Sequence, residues 1–215
     1  MADTLRDRQK QLARTAILEA TAAEVVEHGI TNLSLQAVAA RAGVSNRTLY
    51  NYFDNREALV AALSAWGDER TEATGGHLFP EGPESLPDFV HDNFLAWSQE
   101  GLLTQAIVQI GAVSAAQGQP FPSAATSSSR VAAIADDLGT ARPDLDAAER
   151  EALAQVLLSL ISSRNWHRLT VENDVPPPLA ADAVAWALRT LWSALEAGDA
   201  PFAHGPGDEP GGVED

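Results

Sequence analysis

The stretch from Ser34 to Arg56, SLQAVAARAGVSNRTLYNYFDNR, constrains the fold of this chain more than any other. Ser34 precedes an apolar-periodic run, so its hydroxyl can cap the free amides of a helix over Leu35 to Ala42. Leu35, Val38, Ala39 and Ala42 recur at helical spacing and give that helix one inward face. Gly43 supplies the permissive backbone that a sharp helix-ending turn requires. Ser45 can cap a second helix, in which Leu49 and Phe53 point inward beside Val44. Asn46, Arg47, Thr48, Tyr50 and Asn51 are left facing outward. The spacing therefore predicts a helix-turn-helix whose second helix carries polar side chains suited to a major groove.

The particular residues sharpen that geometry. The run Leu35-Gln36-Ala37-Val38-Ala39-Ala40-Arg41-Ala42-Gly43-Val44-Ser45, then Thr48-Leu49-Tyr50-Asn51-Tyr52-Phe53, then Arg56-Glu57-Ala58-Leu59, resembles the DNA-binding domain of the TetR family of transcriptional regulators. In that family the pattern follows a long first helix ending in glycine, as Ala16 to His28 followed by Gly29 does here. The resemblance covers roughly residues 8 to 66, in order and without gaps. Tyr52 stands where histidine is more usual, and Arg56 where lysine is more usual. Both can still donate a hydrogen bond to phosphate.

The resemblance implies an all-α chain of two domains. Residues 1–54 would form an N-terminal three-helix bundle containing the helix-turn-helix. Residues 55–197 would form a larger helical domain for effector binding and dimerisation; composition alone, rich in Gly, Pro and acid, makes residues 198–215 a disordered tail. The function it implies is a homodimeric, sequence-specific repressor, released from a palindromic operator by a small molecule. A helical DNA-binding or interaction protein without ligand sensing is an alternative reading, and so is an activator.

A net charge of −16 sits awkwardly with a DNA-binding role until the chain is divided. Residues 1–70 hold 8 Lys+Arg against 9 Asp+Glu, a net of −1; residues 71–215 hold 6 against 21, a net of −15. The acidity lies outside the candidate reading head, so non-specific affinity should be modest and salt-sensitive. A packaging protein is excluded on the same ground. Arg6, Arg8, Lys10, Arg14, Arg41, Arg47 and Arg56 are the available cations. The arm from Arg6 to Lys10 could reach a neighbouring groove, although a mobile arm is the plainer expectation. Cysteine is absent, which removes disulfides, thiolate nucleophiles and cysteine metal sites. No apolar run approaches the ~20 residues that span a bilayer, and the charged N-terminus lacks a secretory core. Cytoplasmic residence is the default expectation.

Beyond the candidate reading head, helical patterns continue to about residue 197. A fourth helix is expected from Asp54 or Asn55, with Asp54 and Glu57 in capping-box register. Further helices are expected over Asp88 to Glu100, Leu102 to Gln117 and Ser123 to Leu138, with an interruption at Gly118 to Pro122. A long amphipathic helix is predicted from about Leu145 to Val171, and a last one after Asn173 to Pro178.

Each expected DNA contact has its own chemistry. Arg47 can pair bidentately with guanine or clamp a phosphate. Gln36 and Asn51 carry the paired donor and acceptor suited to adenine, and Thr48 can touch a thymine methyl or a phosphate. Asn46 lies on the same outward face. Ser45 can cap the helix, contact phosphate, or do both. By the resemblance, Tyr50, Tyr52 and Arg56 contact the backbone and position the protein rather than specify sequence; equally, the two tyrosine rings can simply pack the core.

The larger domain is less legible. The resemblance implies an effector pocket among its helices, and Trp66, Phe94, Trp97, Ile107, Ile110, Trp166 and His167 are suitable lining. Any helical core needs the same side chains. Few cations lie there, so a hydrophobic effector that is neutral or cationic is expected. For dimerisation, Leu153, Val156, Leu157, Leu160 and Ile161, with Val184, Leu188, Leu191 and Leu195, form two stripes that could pack against a second copy. No cofactor is expected. His91 and His167 lack metal-ligand spacing, and no nucleophile elbow or phosphate loop accompanies the serines of Ser123 to Ser129, so the chain does not read as an enzyme.

Overall fold

The computed structural model describes residues 5–118, 127–199 and Phe202, and among these it is helical throughout, with no strand. The helices are α1 (Leu5–His28), α2 (Leu35–Arg41), α3 (Asn46–Tyr50), α4 (Arg56–Ala73), α5 (Leu86–Gln99), α6 (Gly101–Ala116), α7 (Ser127–Ala141), α8 (Ala147–Ile161), α9 (Ser163–His167) and α10 (Pro177–Glu196). None of them is long and apolar enough to cross a membrane.

The all-α expectation is met, and the differences in detail have local causes. α1 begins at Leu5, so Arg6 to Lys10 are its first turns and not a separate arm. α4 is capped by Asn55, whose Oδ1 accepts from the Ala58 amide at 2.7 Å, instead of by Asp54. An asparagine caps as well as an aspartate, and the shift leaves Glu57 in the positive first turn of the helix. The long helix predicted over residues 145–171 is broken. It starts at Ala147 behind a capping box, with Asp146 accepting from the Glu149 amide at 2.9 Å and Glu149 accepting from the Asp146 amide at 2.8 Å. It stops at Ser162, whose backbone is extended (φ −78°, ψ 150°) and whose hydroxyl caps α9. Asn165 then returns its side-chain amide to the Leu160 carbonyl at 2.9 Å. Short polar side chains here compete with the helix for its own backbone groups. A single π turn, Arg168–Glu172, continues α9. Residues 123–126 of the predicted seventh helix, most of the predicted interruption, and all but a few residues of the predicted tail lie outside the described residues.

Two apolar cores organise the molecule. The first gathers Ile17, Leu18 and Val25 of α1, Val38 of α2, Leu49 of α3, and Leu59 and Leu63 of α4. It is completed by Leu103, Ala106 and Ile110 of α6. The second joins Phe89, Val90, Phe94 and Trp97 of α5 to Ile134 and Leu138 of α7, Leu157, Leu158 and Ile161 of α8, Trp166 of α9, and Val184 and Leu188 of α10. α4 passes from the first region towards the second. Near its end Arg70 forms an ion pair with Glu100, at the junction of α5 and α6.

Candidate nucleic-acid interface

The interface is built outward from Leu49, which is fully buried against α1, α2 and α4. Burying such a side chain contributes about 1.5–3 kcal/mol, enough to seat a helix of only five residues. The turn before α3 is fixed from both sides. Gly43 takes φ +67°, and the Val44 amide donates to the Ala39 carbonyl at 3.0 Å. Ser34 caps α2 by accepting from the Ala37 amide. Ser45 caps α3 by accepting from the Thr48 amide at 3.0 Å, and the two hydroxyls lie 2.8 Å apart. Ser45 is thus a cap with its hydroxyl already engaged, and Thr48 is half-buried beside it.

Anchoring Leu49 inward turns Asn46, Arg47, Tyr50 and Asn51 to the solvent; Tyr50 is 52% exposed. Gln36 is also exposed, on α2. Tyr52 is half-buried, packed against the first core with its ring 6.3 Å from that of Phe53. Arg56 is half-buried too, and its Nη2 donates to the Ile30 carbonyl in the turn after α1. That bond ties the start of α4 to the α1–α2 connection. Arg41 is not an available cation. Its Nε donates to Glu24 at 2.8 Å and its Nη1 to Glu27 at 2.7 Å, bracing α2 against α1. These bonds hold the guanidinium above the usual arginine range and Glu27 below the usual carboxylate range. Arg47 is the exposed cation of the second helix of the motif.

The residues expected to line an effector pocket are divided between the two cores. Phe94, Trp97 and Trp166 are buried in the second, with the Phe94 and Trp97 rings 5.9 Å apart and Trp166 Nε1 donating to Ser98 Oγ at 2.8 Å. Ile110, with the half-buried Trp66 and Ile107, belongs to the first. His167 is half-buried, its Nδ1 3.3 Å from a Glu172 carboxylate oxygen. Polar groups that the sequence reading passed over lie inside the larger domain, namely Asn93 on α5 and Arg130 on α7. An asparagine and an arginine standing alone in helical patterns carry no periodic signal.

The two stripes expected at a dimer interface are also split. Leu157, Ile161, Val184, Leu188 and Leu195 are buried in the chain's own core. Their spacing reflects packing within one copy. Val156 and Leu191 are exposed, and Leu153 and Leu160 are half-buried. Two residues outside the expected set, Leu179 and Trp186 on α10, are more exposed still, Trp186 at 65%. The stripe Leu179, Ala183, Trp186, Thr190 was open to reading in the sequence, masked by the more regular leucines beside it. A cavity of about 350 Å³ lies between α8 and α10, walled by Leu153, Val156, Leu191 and Phe202.

Comparison with known proteins agrees with this geometry. Residues 17–63 match the family model of bacterial regulatory proteins of the tetR family, spanning the caps, the turn and α3. The HTH-type transcriptional regulator UidR of Escherichia coli K12 is 28% identical over 107 residues, which is 47% of this chain and 53% of UidR. The chain thus spans about half the length of the curated relatives it matches. Among solved structures, a tetR-family transcriptional regulator from Streptomyces coelicolor superposes with a TM-score of 0.59 at 17% identity, over 90% of this chain and 84% of that one. A gamma-butyrolactone receptor (ArpA-like protein) gives 0.55 at 18% identity, over 86% and 99% respectively. Motif and buried anchor coincide in residues 17–63, the segment similar to the tetR family of bacterial regulatory proteins, and the chain shares the fold of these solved structures.

Proposed function

We propose that this protein is a homodimeric, sequence-specific DNA-binding regulator that represses from a palindromic operator and is released by an apolar small molecule. The observation that carries the DNA-binding part is the presentation of Arg47, Asn46, Tyr50 and Asn51 on one outward face around buried Leu49. Arg47 and Asn51 read base edges, with Gln36 and Thr48 at the margin. Tyr50 holds the phosphate backbone. Arg56 and Ser45, whose polar groups are engaged within the protein, and the half-buried Tyr52 set the shape of this face.

A single five-residue helix reads too few base pairs to be selective, so a two-fold dimer with recognition helices one groove repeat apart is the working unit. The exposed Val156, Leu179, Trp186 and Leu191 on α8 and α10 support a second copy packing there. The effector part draws support from the structural neighbour that is a gamma-butyrolactone receptor, and from α4, which starts beside α3 and runs into the larger domain. Effector and DNA select different spacings of the two reading heads, with about 1–3 kcal/mol of coupling between them.

The test is selection of bound sequences from a random duplex pool at fixed salt, with wild type, Arg47→Ala and Tyr50→Phe. A palindromic consensus is expected, relaxed by the arginine change and weakened uniformly by the tyrosine change. No enrichment by the wild type at moderate salt would overturn the proposal.

A further inference from the structure

Six cations lie beyond residue 70, and all are arginines. Arg164, Arg168 and Arg189 are exposed. Arg150 lies along Gly139. Arg142 is buried but matched: it pairs with Asp144 at 2.6 Å and closes α10 by donating to the Leu195 and Asp199 carbonyls at 3.0 and 2.8 Å. Arg130 is different. It stands near the start of α7, half-buried, against the turn that carries the exposed Phe79. Its Nη2 donates to the Leu78 carbonyl at 2.6 Å, and its guanidinium carbon lies 5.8 Å from the centre of the Phe79 ring. Its Nε is buried without a hydrogen-bond partner.

A second orphan lies close by in the fold. Asn93 of α5 is fully buried, and its Oδ1 accepts from the His77 amide at 3.0 Å while its Nδ2 has no partner. Two buried donors lacking acceptors therefore flank the same turn, residues 77–79, from α5 and from α7. A buried donor left unmatched is costly, more so when charged. An aspartate or lysine could shed its charge, whereas a guanidinium keeps its proton and has to be met by an acceptor. Burial lowers the Arg130 pKa, opposed by the attraction of the Asp68 carboxylate on α4. A buried cation with an unmatched donor beside one specific carboxylate is a candidate recognition site.

We propose that Arg130 binds the carboxylate of the effector, and that the effector is an apolar carboxylic acid. This rests on the ligand-responsive reading above and reverses the sequence-based expectation of a neutral or cationic molecule. A guanidinium fork is the natural partner of a carboxylate. The site also has a route to DNA: an acid that takes Arg130 competes with the attraction of Asp68, on the helix whose first turn adjoins α3.

The experiment uses the full chain and a panel of medium-chain aliphatic and aryl carboxylic acids, each beside its methyl ester. Binding is read by tryptophan fluorescence, and release by displacement of the selected duplex. The expected result is that at least one acid binds roughly tenfold more tightly than its ester, and that Arg130→Gln brings the acid down to the level of the ester. Arg130→Lys, which keeps the charge without the fork, should fall between them. Circular dichroism establishes that each variant is folded, and the lysine variant carries the test alone if the glutamine variant is not. Equal binding of acids and esters, no binding by any acid, or an acid preference that survives both substitutions would overturn the assignment. A chain that selects a duplex but ignores every acid leaves the DNA reading standing; one that binds acids through Arg130 and selects no duplex does the reverse.

Discussion

Gly67 of α4 faces the Cδ1 methyl of Ile107 on α6 with no room for a β-carbon between them. At this point α4 and α6 meet through that methyl group. Gly67→Ala gains up to ~1 kcal/mol of helix propensity but overpacks this contact by about 1–3 kcal/mol. The expected sum is a destabilised chain. In an Ile107→Val background, which removes the offending methyl, Gly67→Ala should become neutral or stabilising. Denaturant unfolding of the four chains in this cycle measures the coupling; equal effects in both backgrounds would mean that another contact sets the spacing.

On the proposed function, Arg47 contacts DNA whereas Arg41 braces α2 against α1. Arg47→Ala should weaken operator binding by about 1–3 kcal/mol and, to the extent that the side chain meets phosphate, lower the salt slope by about one. Arg41→Ala should leave the selected sequence and the salt slope unchanged, because its guanidinium is engaged by Glu24 and Glu27. Binding isotherms at several salt concentrations distinguish the two.

The same brace predicts an acid-dependent stability. Arg41 depresses the Glu27 pKa in the folded state. The stability this contributes is therefore fully present above the ordinary carboxylate pKa and is lost as pH falls through the lower folded value. Thermal unfolding of wild type and Arg41→Met should differ near neutral pH and converge as the pH falls below the ordinary carboxylate range. A gap that stays constant would assign the role of Arg41 to packing of its stem.

Exposed and buried members of the α8 and α10 stripes should behave in opposite ways. Val156→Glu and Leu191→Glu are expected to yield folded monomers by sedimentation, with cooperative unfolding retained. Leu188→Ala should cost about 2–5 kcal/mol by opening the core of each copy. A folded dimer that tolerates glutamate at both exposed positions would place the second copy elsewhere.

Legibility in the sequence followed the range of the interactions. The caps at Ser34 and Ser45, the turn at Gly43 and the inward Leu49 act within a few residues of each other, so spacing alone revealed them. Arg41 looked like a free cation because its partners are more than a dozen residues away on another helix. Arg56 was read as a phosphate contact, and its bond to the Ile30 carbonyl depends on how α4 returns to the α1–α2 turn. Among the leucines, periodicity identified the apolar face of α10 but had no means of dividing it between the chain's own core and a second copy. The break at Ser162 depended on hydroxyl and amide bonds that helix propensity does not encode.

Leu103, Ala106 and Ile110 give α6 a share in the core beneath α2 and α3. A chimera that transplants residues 1–66 onto another effector domain would strip three apolar partners from that core and leave Ile17, Leu18 and Leu63 facing whatever the new host supplies. Exchange of specificity between regulators of this build should therefore succeed by grafting only the surface side chains of α2 and α3, or by moving α6 together with the N-terminus. A cut within α4, where the sequence motif ends, divides a hydrophobic unit.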